Sequence, residues 1–501
     1  MTSDTPAGVV FPVSADGRRS TSALGRALVA EALSRVDPDG ARIAAGETQW
    51  RSGYMASFRR LIEAGLPSRQ AAVSIAHDGL ESLHRRMHVI GQEGAETGLD
   101  ALATAPARAG LSTVTVTGTG KAAAELSVPY RGERLSGGAL ARRLDAWVAG
   151  GVIEPSCAEA VGTVAACPEW LALPGRTAVV LGAGAEVGPL PVLLDWGATV
   201  IGIDRPQPAI WQRVLDTARR SGGTLLVPVG HQGPGRPGAA GNGQDLAERA
   251  GVDLVSDVPA VADWLTGAEG PLILGNYVYA DGAANVRVAS AVDVLTARLL
   301  ATRRDAALAF LATPTDVFAV PADAVAQSAR AYAGRPWPSK LGGSLLGALS
   351  GGRLLRPAYP PGADPGICEG LIPQQGPNYA LAKRLQRWRA TVARDSGVTV
   401  SMNVAPPART RSVMKNRALA AAYAGAHRFG VEVFEPETCR ALMAALLVHD
   451  LHTGGGGPAQ AKPWQEEARG AAHGGLWRIA YAPRSALVLA AMLGFRRGRV
   501  S

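Results

Sequence analysis

The run over 176–206, RTAVVLGAGAEVGPLPVLLDWGATVIGIDRP, constrains the fold more than any other stretch of the chain. It sets an apolar strand, a glycine-rich turn, a helical stretch and a second apolar strand ending in an acid within one short unit. A β-α-β unit of this length builds a parallel sheet. Gly182, Gly184 and Gly188 form GxGxxxG. Their missing side chains permit a tight turn and let a pyrophosphate approach a helix N-terminus and its amide donors. Asp204 follows Gly182 by 22 residues, the spacing at which a carboxylate accepts hydrogen bonds from the adenosine ribose hydroxyls. An acid there repels a 2′-phosphate and favours NAD(H), whereas the adjacent Arg205 would accommodate NADP(H). Two other readings share these residues: a loop that only packs helix on strand, and a methyltransferase site for S-adenosylmethionine.

Short apolar strands alternate with helical segments from residue 176 onward, predicting a doubly wound α/β sheet with strands at 177–181, 199–203, 224–229, 272–276, 306–312, 398–404 and 475–479. Before it, apolar positions at helical spacing (Leu24, Leu28, Leu33; Met55, Phe58, Leu61, Ile62) predict a mainly helical N-terminal region over 1–110. Residues 111–172 read as a connector with a hairpin, 113–117 against 124–128, and a helix. Residues 173–501 read as the nucleotide-binding domain. The Gly- and Pro-rich stretch 321–377 is expected to be an inserted substrate-side lobe, and 454–473, which opens on four glycines, a mobile loop.

Composition narrows the function. A formal charge of +9 from 51 basic and 42 acidic residues suits anionic partners. The arginines are scattered among acids without a basic block or aromatic stripe, which argues against nucleic acid. No apolar run approaches the roughly 20 residues of a membrane span, and MTSDTPAGVV lacks the pattern of a signal peptide. A cytoplasmic protein acting on a small molecule is expected, with a homo-oligomer possible. The four cysteines form no CxxC pair, so neither a disulfide framework nor a cysteine-ligated zinc is indicated. His84 and His88 are an i, i+4 pair without HExxH or a third ligand and read as a solvated helix face, so no metal is expected. His449 and His452 read as cations near a helix end.

In GPNYALAKRLQRW, Tyr379 and Lys383 stand at i and i+4, so a helix presents both on one face while Leu381, Leu385, Trp388 and Val392 line a buried stripe. A phenol of pKa about 10 is a poor proton-transfer group at neutral pH. An adjacent ammonium and a positive nicotinamide would favour the phenolate, allowing Tyr379 to exchange a proton with a substrate oxygen. YxxxK alone also fits a surface tyrosine beside a solvated lysine.

GPNYALAK followed by GVTVSMNVAPPARTRSV resembles the short-chain dehydrogenase/reductase family. The resemblance implies a Rossmann sheet, hydride exchange between NAD, less readily NADP, and a carbonyl or secondary alcohol, and Tyr379 and Lys383 as the acid/base pair. It further implies that Lys383 holds the cofactor ribose, that Pro406 lies in the turn covering the nicotinamide, and that Thr410 contacts the carboxamide. Asn276 stands at the asparagine-rich turn after the fourth strand. Asn285 matches the helix asparagine supporting a water chain to the lysine. Thr313, 28 residues after Asn285, falls where the family has its catalytic serine, with Thr315, Ser344 and Ser350 as alternatives. Tyr277 and Tyr279 either line the nicotinamide pocket or pack. The chain departs from the family in Glu186 at the middle glycine, in the long interval from Thr313 to Tyr379 and in its N-terminal region. A non-catalytic nucleotide sensor and a methyltransferase are the rival functions.

Overall fold

The structure is a computed structural model and describes residues 8–14, 17–91, 94–230, 243–336, 349–455 and 460–497. A seven-stranded sheet forms its centre. The strands are β1 (Leu111–Thr117), β2 (Thr177–Leu181), β3 (Thr199–Ile203), β4 (Thr224–Gly230), β5 (Leu272–Asn276), β6 (Ala307–Ala312) and β7 (Val400–Val404). Their spatial order is β7-β6-β5-β2-β3-β4-β1. β2 to β7 run parallel, and β1 lies antiparallel on β4. The chain moves outward from β2 through β3 to β4, returns to β5 beside β2, and moves outward the other way. A crevice therefore opens at the carboxyl ends of β2 and β5, where the order reverses.

Four helices precede the sheet: α1 (Thr21–Leu33), α2 (Pro38–Gly46), α3 (Trp50–Gly65) and α4 (Arg69–Arg86). Ser20, Asp37 and Ser68 cap α1, α2 and α4 by accepting from the amides of Ala23, Gly40 and Ala71. α5 (Leu190–Asp195) joins β2 to β3, α6 (Ala283–Thr302) joins β5 to β6, and α7 (Gly376–Asp395) precedes β7. α8 (Arg417–Gly425), α9 (Pro436–Thr453) and α10 (Pro483–Arg497) follow it.

The parallel strands are apolar on both sides because both faces are covered. Val179 and Leu181 of β2 join a core with α1, α3, α4, α6 and α7. Ala178 and Val180 face a second core with α5, α9 and the helices Gly137–Ala149 and Pro208–Arg220. The N-terminal helices thus pack directly on the sheet side that carries α6 and α7. At Gly79 a Cβ would lie 2.4 Å from the Trp388 ring, so α4 approaches α7 closely. Asp293 of α6 closes the junction, accepting from Arg389 through two 2.7 Å bonds and meeting His84 Nε2 at 2.7 Å. Burial opposes ionisation of this carboxyl, but Arg389 and His84 outweigh it and hold its pKa well below the usual range.

Six predicted strands occur where expected, and four expectations are corrected. Strand β1 does not pair with residues 124–128; it pairs with β4, and Val128–Tyr130 pairs with Glu133–Leu135. Residues 475–479 form turns. Gly474 and Gly475 take φ of +66° and +97°, and the apolar signal there comes from Trp477 packed in a third buried cluster. The stretch 454–473 is not a simple loop, since it contains the helix Pro463–Ala468 and places Glu467 and His473 in buried ion pairs. His84 is not on a solvated face, because it bonds Asp293, and His88 lies beyond the end of α4 in a short strand against Glu96. Within 321–377, the helix Ala322–Ala333 and strand Gly366–Glu369 are ordered parts of the fold, the latter antiparallel to Val317–Val320. Ser344 and the whole of SKLGGSLL lie outside the described residues. No described helix is long and apolar enough to cross a membrane.

Candidate functional site

The glycine turn lies at the carboxyl end of β2. Gly182 takes a φ of +87°, and a Cβ on it would meet the Tyr277 carbonyl oxygen at 2.9 Å. A Cβ on Gly184 would meet Ile210 at 2.8 Å, so both positions require glycine for close packing. Most of the turn's amides are occupied from within. Gly182 N and Ala183 N donate to the Ile203 carbonyl, Gly188 N to that of Ala185, and Gly184 N to Asp204 Oδ2 at 2.8 Å. The expected helix starts only at Leu190 and runs for 6 residues, too short to supply the anion site assumed for the turn. Asp204 Oδ1 accepts from Arg205 N at 2.8 Å, leaving each carboxylate oxygen one lone pair. Glu186 binds Arg411 by its side chain, at 2.7 Å to both N and Nε, while Arg440 donates to its carbonyl at 2.8 Å. Two guanidiniums therefore stand beside the turn.

Across the crevice, α7 brings Tyr379 and Lys383 against the end of β6. Tyr379 stands beside Thr313, whose side chain favours the phenolate, and Thr313 Oγ1 lies 2.9 Å from Thr315 Oγ1. The Tyr279 ring meets Tyr379 edge-on, centroids 6.2 Å apart. Burial pushes the Tyr379 phenol up, the Thr313 side chain pulls it down, and Asp316 raises it further, for a net rise. This reverses the direction expected from the YxxxK spacing, because desolvation and Asp316 outweigh the Thr313 hydroxyl. Lys383 Nζ donates to the Leu311 carbonyl at 3.3 Å and to Gln386 Oε1 at 3.1 Å, and burial lowers its pKa to about 8. Gln386 Nε2 donates to Asn276 Oδ1 at 3.3 Å, which also accepts from Val278 N at 3.3 Å. A hydrogen-bonded chain thus links Lys383 to the end of β5.

The structure brings together Tyr379, Lys383, Thr313 and Asn276. Asn285 does not join them: its Oδ1 accepts from Ala280 N at 3.3 Å and braces the loop before α6. Gln386 takes the position next to Lys383 that the sequence reading gave to Asn285. Thr410 Oγ1 is 3.0 Å from Ser412 Oγ at the start of a short helix, while Pro406 is buried in the turn after β7. Thr315 is the nearest of the alternative hydroxyls, whereas Ser350 Oγ accepts from Leu354 N in its own turn. Tyr277 is buried and Tyr279 is 50% exposed, so of the two tyrosines only Tyr279 edges the crevice.

An ion cluster fixes α7 from behind. Asp316 accepts from Arg384 Nη2 at 2.7 Å and Arg387 Nη1 at 2.6 Å, and Arg387 makes two further bonds to Glu467, at 2.8 and 2.5 Å. Burial lowers Arg384 to about 10, while Glu467 and Asp316 outweigh burial and raise Arg387. Gln386 sits three residues from Lys383, a spacing that places both on one helix face and was readable in the sequence. The partner Asp316, in the loop before Val317–Val320, carried no such signal. Comparison with known protein families finds no matching family model, and comparison with curated proteins finds no match.

Proposed function

We propose that this chain is an NAD(H)-dependent oxidoreductase of the short-chain dehydrogenase/reductase type, acting on a carbonyl or secondary alcohol. The observation that carries the reading is the placement of Tyr379 beside Thr313, with Lys383 one helical turn away, at the crevice where the strand order reverses. The order of β2 to β7 is that of doubly wound dinucleotide-binding sheets. The residues fit a dinucleotide at its two ends. Asp204 keeps acceptor capacity for ribose hydroxyls, and Lys383 and Asn276 lie beside the opposite wall. Most of the turn's own amides are spent, so the positive charge facing a pyrophosphate would come mainly from Arg411 and Arg440.

A bound nicotinamide would supply or accept the hydride at the substrate carbon. Thr313 Oγ1 and Tyr379 Oη orient the substrate oxygen, and Tyr379 gives it a proton as the carbonyl becomes an alcohol. Burial keeps the phenol protonated at neutral pH, which loads the site for reduction; oxidation requires its deprotonation and is expected to accelerate with rising pH. Solvent returns the proton to the phenolate, and Lys383, held by Leu311 and Gln386, would hold the cofactor ribose.

A second reading, a nucleotide-binding protein without turnover, draws on the internally bonded turn amides. Titration with NADH, NADPH and S-adenosylmethionine, followed by a carbonyl panel, separates the readings. NADH binding with turnover is expected. Tyr379→Phe should lower kcat for reduction by about a hundredfold or more with NADH binding retained; unchanged turnover in that variant would sink the mechanism, and binding of neither nicotinamide would sink the assignment.

A further inference from the structure

Thr315, which touches Thr313, also walls an apolar pocket. The pocket runs under α8 and α10 and is also lined by Pro407, Phe429 and Leu371. Its roof is built from small residues. α8 and its C-cap contribute Ala422 and Ala426, and α10 contributes Ala486 and Ala490, so each side of the roof turns an i, i+4 pair of methyl groups inward. The two helices can approach because glycines meet at their crossing: a Cβ on Gly425 would lie 2.0 Å from the Ala490 carbonyl oxygen, and one on Gly494 would lie 1.9 Å from that of Ala421. Arg484 is the one charged residue among the lining. Its guanidinium is engaged by Glu369 Oε2 at 3.6 Å and Met55 Sδ at 3.2 Å, so its stem faces the pocket. Protein interiors are close-packed with few voids, and larger side chains at four alanine positions would fill this one.

We infer that the pocket receives the apolar tail of the substrate, and that the substrate class is a carbonyl or secondary alcohol on an extended hydrocarbon chain. The inference rests on the reductase reading above. The path from Tyr379 through Thr313 to Thr315 connects the reacting oxygen to the pocket wall, and the lining offers a tail almost no polar partner.

The test uses the full chain with NADH and a series of methyl ketones from butanone to decanone. Each methylene that enters the pocket should raise kcat/KM by up to about fourfold, until the pocket is full. Ala490→Phe or Ala426→Phe should collapse the decanone-to-butanone ratio of kcat/KM by about tenfold or more. In parallel, fluorescence of anilinonaphthalene sulfonate, without nicotinamide, should report an apolar site emptied by decanol and lost in the filled variants. Turnover with no chain-length dependence overturns the inference and leaves the reductase reading standing. Decanol-displaceable probe binding that the filled variants lose, together with no turnover of any ketone, upholds the pocket and overturns the reductase. Absence of both removes both. If the filled variants do not fold, the chain-length series on the unaltered protein decides.

Discussion

Replacing Lys383 by methionine tests whether the site holds a buried cation at the expense of stability. Burial lowers the lysine from an ordinary 10.5 to about 8, and a change of that size means the ammonium costs the folded chain about 3 kcal/mol below pH 8. The sign follows from the folded value being the lower one. The penalty is full below about pH 8 and fades as pH rises to 10.5, because the unfolded chain then holds a proton the folded chain has released. The bonds to the Leu311 carbonyl and Gln386 Oε1 offset part of it, at about 1 kcal/mol each. Lys383→Met is thus expected to be about 1 kcal/mol more stable than the parent near neutral pH while losing turnover. The assay is urea unfolding of both proteins between about pH 7 and 10.5, with one stability subtracted from the other so that common titrations cancel. The parent should gain about 3 kcal/mol on the variant across that window. A difference that stays flat refutes the reasoning, because the lysine would then not titrate as a buried group.

Three further outcomes follow from buried charge and close packing. Asp316→Ala strips Arg384 of its carboxylate partner and leaves Arg387 with Glu467 alone, and should cost about 3–5 kcal/mol in chemical unfolding, more than Asp316→Asn. Glu154 is opposed by burial but held down to about 2 by His473 and Arg478, so its contribution is present above an ordinary carboxylate pKa and is lost as pH falls toward 2; Glu154→Gln should flatten the acid limb of a circular-dichroism titration. Gly425→Val forces α8 off α10 and should cost about 1–3 kcal/mol by thermal unfolding, with loss of apolar-probe binding.

Much of the sheet was legible because parallel strands buried on both faces write themselves as unbroken apolar runs, as in TAVVL and TVIGI. The false strand at 475–479 shows the limit of that signal: Leu476, Trp477 and Ile479 are apolar to fill a turn, and periodicity cannot tell a buried turn from a short strand. The hairpin was misread for a different reason. Strand β1 announces itself by Thr and Val alternation, but its partner β4 lies far along the chain, and nothing local names it. At the site, the i, i+4 spacing put Tyr379 and Lys383 together, and counting along the alternation brought Thr313 to them. Counting could not tell that Asn285 turns back onto its own loop, nor that the glycine turn spends most of its amides on Ile203, Ala185 and Asp204, since both depend on backbone direction.

The pairing of β1 with β4 also dictates an order of events during synthesis. Ser112 and Val229 are 117 apart in the sequence, yet they share a ladder that runs from Leu111 opposite Gly230 to Thr117 opposite Thr224. A nascent chain therefore carries β1 outside the ribosome with its backbone groups unpaired until β4 emerges. Any fragment beginning after residue 117 would present β4 as an open edge, ready to capture a strand from another copy.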